Sequence, residues 1–556
     1  MNKLLPSGLD DFGPVAKTGY YVDKTRFISR LLRHIEGTTT LITRPRRFGK
    51  SLMISMLDYY FSQSKKDQSS LFDGLAISKD ELAKEEMNAY PVIRLTFKDV
   101  KFSSWEKAFA YIKSDLVNLA CRFPELADSP KLSTYQQEQY EQLCSANASE
   151  VSFLKSLYLL SELLHLHYGK KVIILIDEYD TPISKAYSAG YYDEAIEFFR
   201  AFYGEALKGN EHLHFALVTG VMQIAQESLF SGLNNPDIDS VSDGAYPDCF
   251  GFTKEETEKL LHYYGLGDRI DEVWDFYGGY CVGGYDLASP WSILKYTERD
   301  GRLACYWSST GENEIIGRMV AKLNQDGASD FAGLVGEKKA SCILRPSLSY
   351  RSLGENADDL FSYLLSAGYL TLEGTVTPQG RCMVKVPNKE ASTAFETEIA
   401  GLFAPRKVES NWTGDLKNAM KIGDCQIISS ILSSYVLQSL NSFAYGDWKS
   451  YQYLLLGMMV TLFPDELVKS EVNAGKGRLD ILVYNESEQI GLVVEVKVSS
   501  TKLSTYNIKR LAQSALNQVL RQNYAKDLFE RGAKRVLAFG VGAIEDKAEV
   551  AEAMLP

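Results

Sequence analysis

Two clusters of residues in this sequence have the types and spacing that handle phosphate. The first is Arg44-Pro45-Arg46-Arg47-Phe48-Gly49-Lys50-Ser51, set between the strand-like run Thr39-Thr40-Leu41-Ile42-Thr43 and the apolar-faced segment Leu52-Met53-Ile54-Ser55-Met56-Leu57. A phosphate loop needs backbone N–H groups turned toward the anion, a lysine that reaches the outer phosphates and a hydroxyl that holds Mg²⁺. Gly49, Lys50 and Ser51 supply the end of that pattern, and Arg46, Arg47 and Phe48 complete the loop. The pattern should open on a glycine. This chain has Arg44 there, so the loop alone also reads as a basic turn capping a helix.

Its companion is Lys171-Val172-Ile173-Ile174-Leu175-Ile176-Asp177-Glu178, a buried-strand run that ends in two carboxylates. Asp177 is placed to hold the hydration shell of Mg²⁺ and Glu178 to orient an attacking water. An isolated pair of this kind is often a solvated strand end; joined to Gly49-Lys50-Ser51 it reads as the other half of an ATP site. Thr219, closing Phe215-Ala216-Leu217-Val218-Thr219, is a third candidate, as the polar group between water and γ-phosphate.

The second cluster lies near the C-terminus: Gly477-Arg478-Leu479-Asp480, then Gly491-Leu492-Val493-Val494-Glu495-Val496-Lys497-Val498. Phosphodiester cleavage needs carboxylates converging on a divalent metal and a lysine that steadies hydroxide or the scissile phosphate. Glu495 and Lys497, two apart, project from one face of a strand. The turn Asn485-Glu486-Ser487-Glu488 brings that strand back beside Asp480. Glu471 is a further candidate acidic ligand. Charge on a hairpin is usually its wet face, but Val493, Val494, Val496 and Val498 make this strand apolar on both sides, where Glu and Lys are costly unless they pair or bind metal. Downstream, Lys509, Arg510 and Arg521 form a local basic surface suited to a phosphate backbone.

These residues need elements to position them. Short apolar runs at residues 39–43, 91–97, 172–176 and 213–219, separated by helical stretches, predict an α/β unit with a mostly parallel sheet. The texture changes near 250, giving three expected units: residues 1–250 as the ATPase domain, 251–440 as a helical connector with a small β element, and 441–556 as an α/β nuclease-like domain. A chain of 556 residues exceeds one core. No run is apolar enough for a membrane helix, and no secretion signal is evident at Met-Asn-Lys-Leu-Leu-Pro-Ser-Gly, so a cytoplasmic protein is expected. The eight cysteines include no CxxC pair and read as reduced thiols. All six histidines lie at or before His262, so C-terminal chemistry must use carboxylates and lysine. A net charge of −12 disfavours blanket nucleic-acid binding and requires a local basic surface.

The loop Arg44 to Ser51, the upstream Tyr20-Tyr21-Val22-Asp23-Lys24-Thr25 and Phe230-Ser231-Gly232-Leu233-Asn234-Asn235 resemble the bacterial AAA-ATPase-like family, whose members commonly carry a C-terminal PD-(D/E)XK nuclease domain. The resemblance covers residues 6 to about 300 and about 440 to 545. It implies that an arginine at the start of the loop is normal, and that a glutamine and a tyrosine beyond the nuclease lysine flank the site, which Gln518 and Tyr524 match. It also implies an arginine and then a lysine after Thr219-Gly220-Val221, where this chain has Gln223 and Gln226. If those cations contact phosphate, hydrolysis here is weakened or lost while binding persists. The expected protein binds ATP and Mg²⁺, with Mn²⁺ admissible at the nuclease site, and hydrolyses ATP to gate cleavage of nucleic acid, DNA favoured over RNA. Defence against foreign DNA and a homo-oligomer are compatible with it. The rival expectation is a nucleotide-dependent switch or scaffold whose nuclease-like domain binds without cutting.

Overall fold

The computed structural model describes residues 3–555 except 34–38, 146–147, 225–228, 230–235, 308–312, 324–326, 328–329, 332–333, 335–338, 352, 355, 396–411, 437–454, 456–457, 460–461, 464–466, 475–476, 500–504, 523 and 545–546. The family-like segment 230–235 and Gln226 therefore lie outside the described residues.

The N-terminal runs of β-branched and leucine residues form a five-stranded sheet of β1 (Thr39–Thr43), β2 (Val92–Thr96), β3 (Val172–Asp177), β4 (Leu213–Gly220) and β5 (Asp237–Asp239), in the order β2-β3-β4-β1-β5. Every pairing is parallel. β1 and β3 are buried along their whole length, as strands covered on both faces must be. The helix Lys50–Phe61 packs on β2 and β3, Trp105–Ala120 on β2 and Ser156–Tyr168 on β3. Aromatic rings fill the layers between, with Phe61 edge-on to Phe215 and Phe97 edge-on to Phe199. Because β4 lies between β1 and β3, the ends of all three strands converge on one edge. This is the edge where open parallel sheets bind ligands.

The chain then builds two small antiparallel sheets. β6 (Phe252–Thr253), β7 (Tyr280–Val282) and β8 (Tyr285–Ala288) form one in the order β6-β8-β7; β9 (Lys339–Ile343), β10 (Thr371–Glu373) and β11 (Arg381–Lys385) form the other in the order β10-β11-β9. Around the first sheet, Phe252, Leu260, Leu261, Val273, Tyr277 and Ile293 make a core of their own. The helix Lys254–Tyr263 starts on a reciprocal cap between Thr253 and Glu256.

The C-terminal sheet runs β12-β13-β14-β15-β16, from β12 (Leu467–Ala474), β13 (Gly477–Asn485), β14 (Ile490–Val498), β15 (Arg535–Ile544) and β16 (Lys547–Leu555). Only β14 and β15 pair in parallel, and the helix Thr505–Gln522 makes their crossover. Glu495 pairs with Gly540 and Lys497 with Gly542. These glycines let the helix approach the sheet: a Cβ at Gly540 would fall 2.3 Å from the Ala512 carbonyl and the Leu516 nitrogen, and one at Gly542 would fall 2.6 Å from Ala512 N and Ile508 O. All four neighbours are backbone atoms and cannot swing away. Gly540→Ala is therefore expected to lower stability by about 1–3 kcal/mol, the range for forced overpacking. A thermal melt unchanged from the parent chain would contradict this packing.

Candidate functional site: a phosphate edge and a carboxylate cluster

Gly49 takes a left-handed backbone, φ 89°, and caps the helix Lys50–Phe61. The helix N-terminus, with its unpaired N–H groups, thus faces the sheet edge. Lys50 is buried, and its ammonium donates to the carbonyls of Arg44 (2.8 Å) and Pro45 (2.9 Å). Burial lowers its pKa, opposed by the carboxylates of Glu178, Asp177 and Asp180. Arg44 is not a phosphate ligand. Its guanidinium is wholly buried, paired with Asp239 at the end of β5 and donating to the carbonyls of Thr43 (2.8 Å), Asp239 (3.0 Å) and Tyr246 (3.2 Å). The residue that replaces the pattern's first glycine ties the loop to the outer strand.

Asp177 ends β3 and accepts a 2.7 Å hydrogen bond from the Thr219 hydroxyl at the end of β4. Burial raises its pKa, and hydrogen bonds from Ser51 and Thr219 hold it down. Ser51, Asp177 and Thr219 thus meet at one point. Glu178 follows in a left-handed backbone, φ 53°, unusual for a residue with a Cβ, and accepts from the Thr181 hydroxyl at 3.0 Å. Sequence reasoning missed Asp180. It is buried, its Oδ2 accepts the N–H groups of Val221 (2.9 Å) and Met222 (2.8 Å), and its Oδ1 has no hydrogen-bond partner among the described residues. Only its place three residues beyond Asp177 could have signalled it. The chain leaving β4 is held from below by Tyr179, whose hydroxyl donates to Met222 O (2.6 Å) and accepts from Ile224 N (3.1 Å). From above, Leu348 N donates to Gln223 O at 3.0 Å, and Tyr350 packs on Tyr187.

A cavity of about 390 Å³ opens beside Lys50, lined by Arg46 to Met53 and Glu178 on the phosphate side and by Tyr20, Tyr21, Phe252, Pro290 and Trp291 on the other. Within the loop, Arg47 lies over the Trp291 ring at 4.8 Å and donates to Tyr306 O, while Phe48 packs edge-on to Tyr280. Lys24 is occupied by Glu256 and the Asp248 carbonyl. The polar loop and aromatic wall together suit an anion joined to a flat ring.

In the C-terminal sheet, the β13–β14 ladder ends at Ile481 opposite Val494. One step beyond, the Asp480 carboxylate fills the gap and accepts Val496 N at 2.7 Å. Glu495 is buried beside it, its Oε1 bonded by Gln518. Its Oε2 has no hydrogen-bond partner among the described residues. Burial, then the Asp480 charge, push the Glu495 carboxyl up to about 8, against the Asp480 N–H, Lys497 and Gln518. Lys497 donates to Ser514 at 3.1 Å. Tyr524 is buried near Gln518, with burial raising its pKa. Thus Asp480, Glu495, Lys497, Gln518 and Tyr524 come together. Glu471 sits between Ser470 and Val472, which pair with Ile481 and Leu479, so its backbone faces Asp480; its side chain lies outside the described residues. Among the described residues no group of three or more histidine, cysteine or acidic side chains forms a metal cage.

Arg510 and Arg521 join Lys497, Gln513, Ser514 and Asn517 in a groove of about 480 Å³ beside this cluster. Lys509 lies outside it, 4.0 Å from Glu549 of β16. Among the described residues, no helix is long and apolar enough to cross a membrane.

Residues 6–230 match a family described as predicted AAA-ATPase, and residues 448–552 match the PD-(D/E)XK nuclease superfamily. An uncharacterized protein from the vnfD 5′ region of Azotobacter chroococcum is 25% identical over 440 residues, 78% of this chain and 77% of its own length. The Aeropyrum pernix ORC2 protein, solved in ADPNP and ADP complexes, aligns with 67% of this chain and 90% of its own at 12% identity, with a TM-score of 0.24. Residues 6–230 are thus similar to the AAA-ATPase-like family and residues 448–552 to the PD-(D/E)XK nuclease superfamily.

Proposed function

We propose that the protein binds and hydrolyses ATP in residues 1–250 and uses that cycle, through residues 251–440, to gate phosphodiester cleavage of nucleic acid by residues 441–556. The observation that carries the reading is the buried Glu495 Oε2 beside Asp480, without a hydrogen-bond partner among the described residues, with Lys497 on the same strand face. An orphaned carboxylate oxygen there is costly unless a cation takes it. Asp480 and Glu495, with Glu471 as a further ligand, would hold Mg²⁺ or Mn²⁺. A bound divalent ion supplies charge neutralisation at the phosphate and an acidified water. Lys497 steadies the phosphate, Gln518 and Tyr524 orient Glu495, and Arg510 and Arg521 bind the flanking backbone.

In the ATP site, Lys50 and the N–H groups of residues 46–51 take the phosphates, and Ser51 with Asp177 takes Mg²⁺. Thr219 holds Asp177 in place, and Glu178 orients water. Glu178→Gln keeps the shape but lacks the base, so kcat for ATP should fall by roughly 10²- to 10⁴-fold with Kd unchanged. Lost ATP binding in that variant would show the role to be misassigned.

DNA is the favoured target. A nuclease assay with Mg²⁺ or Mn²⁺ on single- and double-stranded DNA and RNA tests the reading. Failure to cut any of them leaves the switch reading, which Gln223 favours: its carbonyl is bound to Leu348, and its amide replaces a family cation. Changing both Arg510 and Arg521 to Ala should weaken binding and flatten the salt dependence, the slope of log K on log salt falling by about 1.4–1.8 for two lost phosphate contacts. An unchanged slope would remove these arginines from the interface.

A further inference from the structure

The small sheet β10-β11-β9 carries two thiols that neither phosphate site uses. Cys342 on β9 and Cys382 on β11 are direct partners in the antiparallel register. Both are buried on the covered face, and their Sγ atoms lie 3.6 Å apart. Partners facing each other across antiparallel strands have Cα atoms about 4.5–5.5 Å apart, within the roughly 4.4–6.8 Å that a disulfide spans. Rotation about the two Cα–Cβ bonds therefore closes the remaining gap without moving either strand. β9 is the edge strand of this sheet, so the pair lies next to its rim.

We propose that Cys342 and Cys382 form a reversible intramolecular disulfide under the two-electron oxidant hydrogen peroxide. The pair is asymmetric. The two sulfurs share a hydrogen bond and the Leu344 N–H stands beside Cys382; these hold the Cys382 thiol below its usual range, while Cys342 is pushed above it. Cys382 is thus the attacking thiolate. It attacks one peroxide oxygen, the O–O bond breaks, hydroxide leaves and takes a proton as water, and Cys382 becomes a sulfenic acid. The Cys342 sulfur, giving up its proton, attacks the Cys382 sulfur and expels hydroxide, which leaves as a second water. The two thiols lose two electrons and two protons, and the peroxide becomes two waters. An added dithiol reverses the link by exchange. The bond ties the edge strand to its neighbour six residues before Leu348, whose N–H binds Gln223 O.

The test treats the full-length protein with hydrogen peroxide, blocks remaining thiols after denaturation and maps peptides by mass. The expected product joins the Cys342 and Cys382 peptides at about 2 Da below their summed mass and is lost with dithiothreitol. In Cys342→Ser the reaction should stop at Cys382 as a sulfenic acid that dimedone labels. If both thiols stay fully alkylatable at a dose that oxidises the exposed Cys121, the proposal fails. Absence of dimedone label at Cys382 in Cys342→Ser would overturn its place as the attacking thiol.

Discussion

Lys50→Ala is expected to weaken ATP binding at least 100-fold while leaving the chain folded. The ammonium sits at the helix N-terminus with two loop carbonyls as its partners, 2.8 and 2.9 Å away. It can exchange these neutral acceptors for anionic phosphate oxygens, and charge-assisted bonds contribute about 1.5–3 kcal/mol each. Two such bonds lost come to roughly 3–6 kcal/mol, a factor of about 10² or more in Kd. The fold should survive, because the loop is anchored separately through Arg44 and Asp239 and through Phe48 against Tyr280. Titration with a fluorescent ATP analogue, alongside a thermal melt, reads both effects. Unchanged affinity in a folded Lys50→Ala protein would contradict the phosphate-loop assignment.

The elements carrying Asp177, Thr219 and Glu495 were legible because each is a short apolar run with a polar residue at or near its end, a local pattern, and Lys50 because it follows such a run through a glycine turn. The hairpin placing Asp480 beside Glu495 was legible for the same reason. Arg44 was not. The sequence marks only a missing glycine, whereas its role depends on Asp239 and Tyr246, about 200 residues away, and on β5, a three-residue strand too short for any periodicity. The aromatic wall at Trp291 and the Asp180 contacts with Val221 and Met222 are long-range in the same way. The close packing at Gly540 and Gly542 is invisible for another reason, since a glycine in a strand reads as weak propensity rather than as room for a helix. Lys509 and Arg510 are adjacent in sequence, yet on a helix neighbours point about 100° apart, so only Arg510 reaches the groove.

The second large effect is expected at the other site. Asp480→Ala and Lys497→Ala should each abolish nucleic-acid cleavage and leave ATP affinity unchanged. Asp480 is both a candidate metal ligand and the acceptor for Val496 N, so its loss removes charge and loosens the strand carrying Glu495 and Lys497. Lys497 stands on the same strand as Glu495 and, among the described residues, has Ser514 alone as its hydrogen-bond partner, so its removal takes away the cation meant for the phosphate and little structure. Residual cleavage by folded Lys497→Ala at the parent rate would exclude that role.

The proposed gating would join the two sites, and it requires that nucleotide bind one of two states more tightly. At the exit of β4 the chain leaving Thr219 meets Leu348, whose N–H donates to Gln223 O, and this is the contact the proposal would use. The direct measurement is the rate of DNA cleavage by the full-length protein in Mg²⁺ with no nucleotide, with ATP and with ADP. The account predicts that ATP changes the rate relative to both other conditions and that Lys50→Ala abolishes the difference. Identical rates in all three would contradict it.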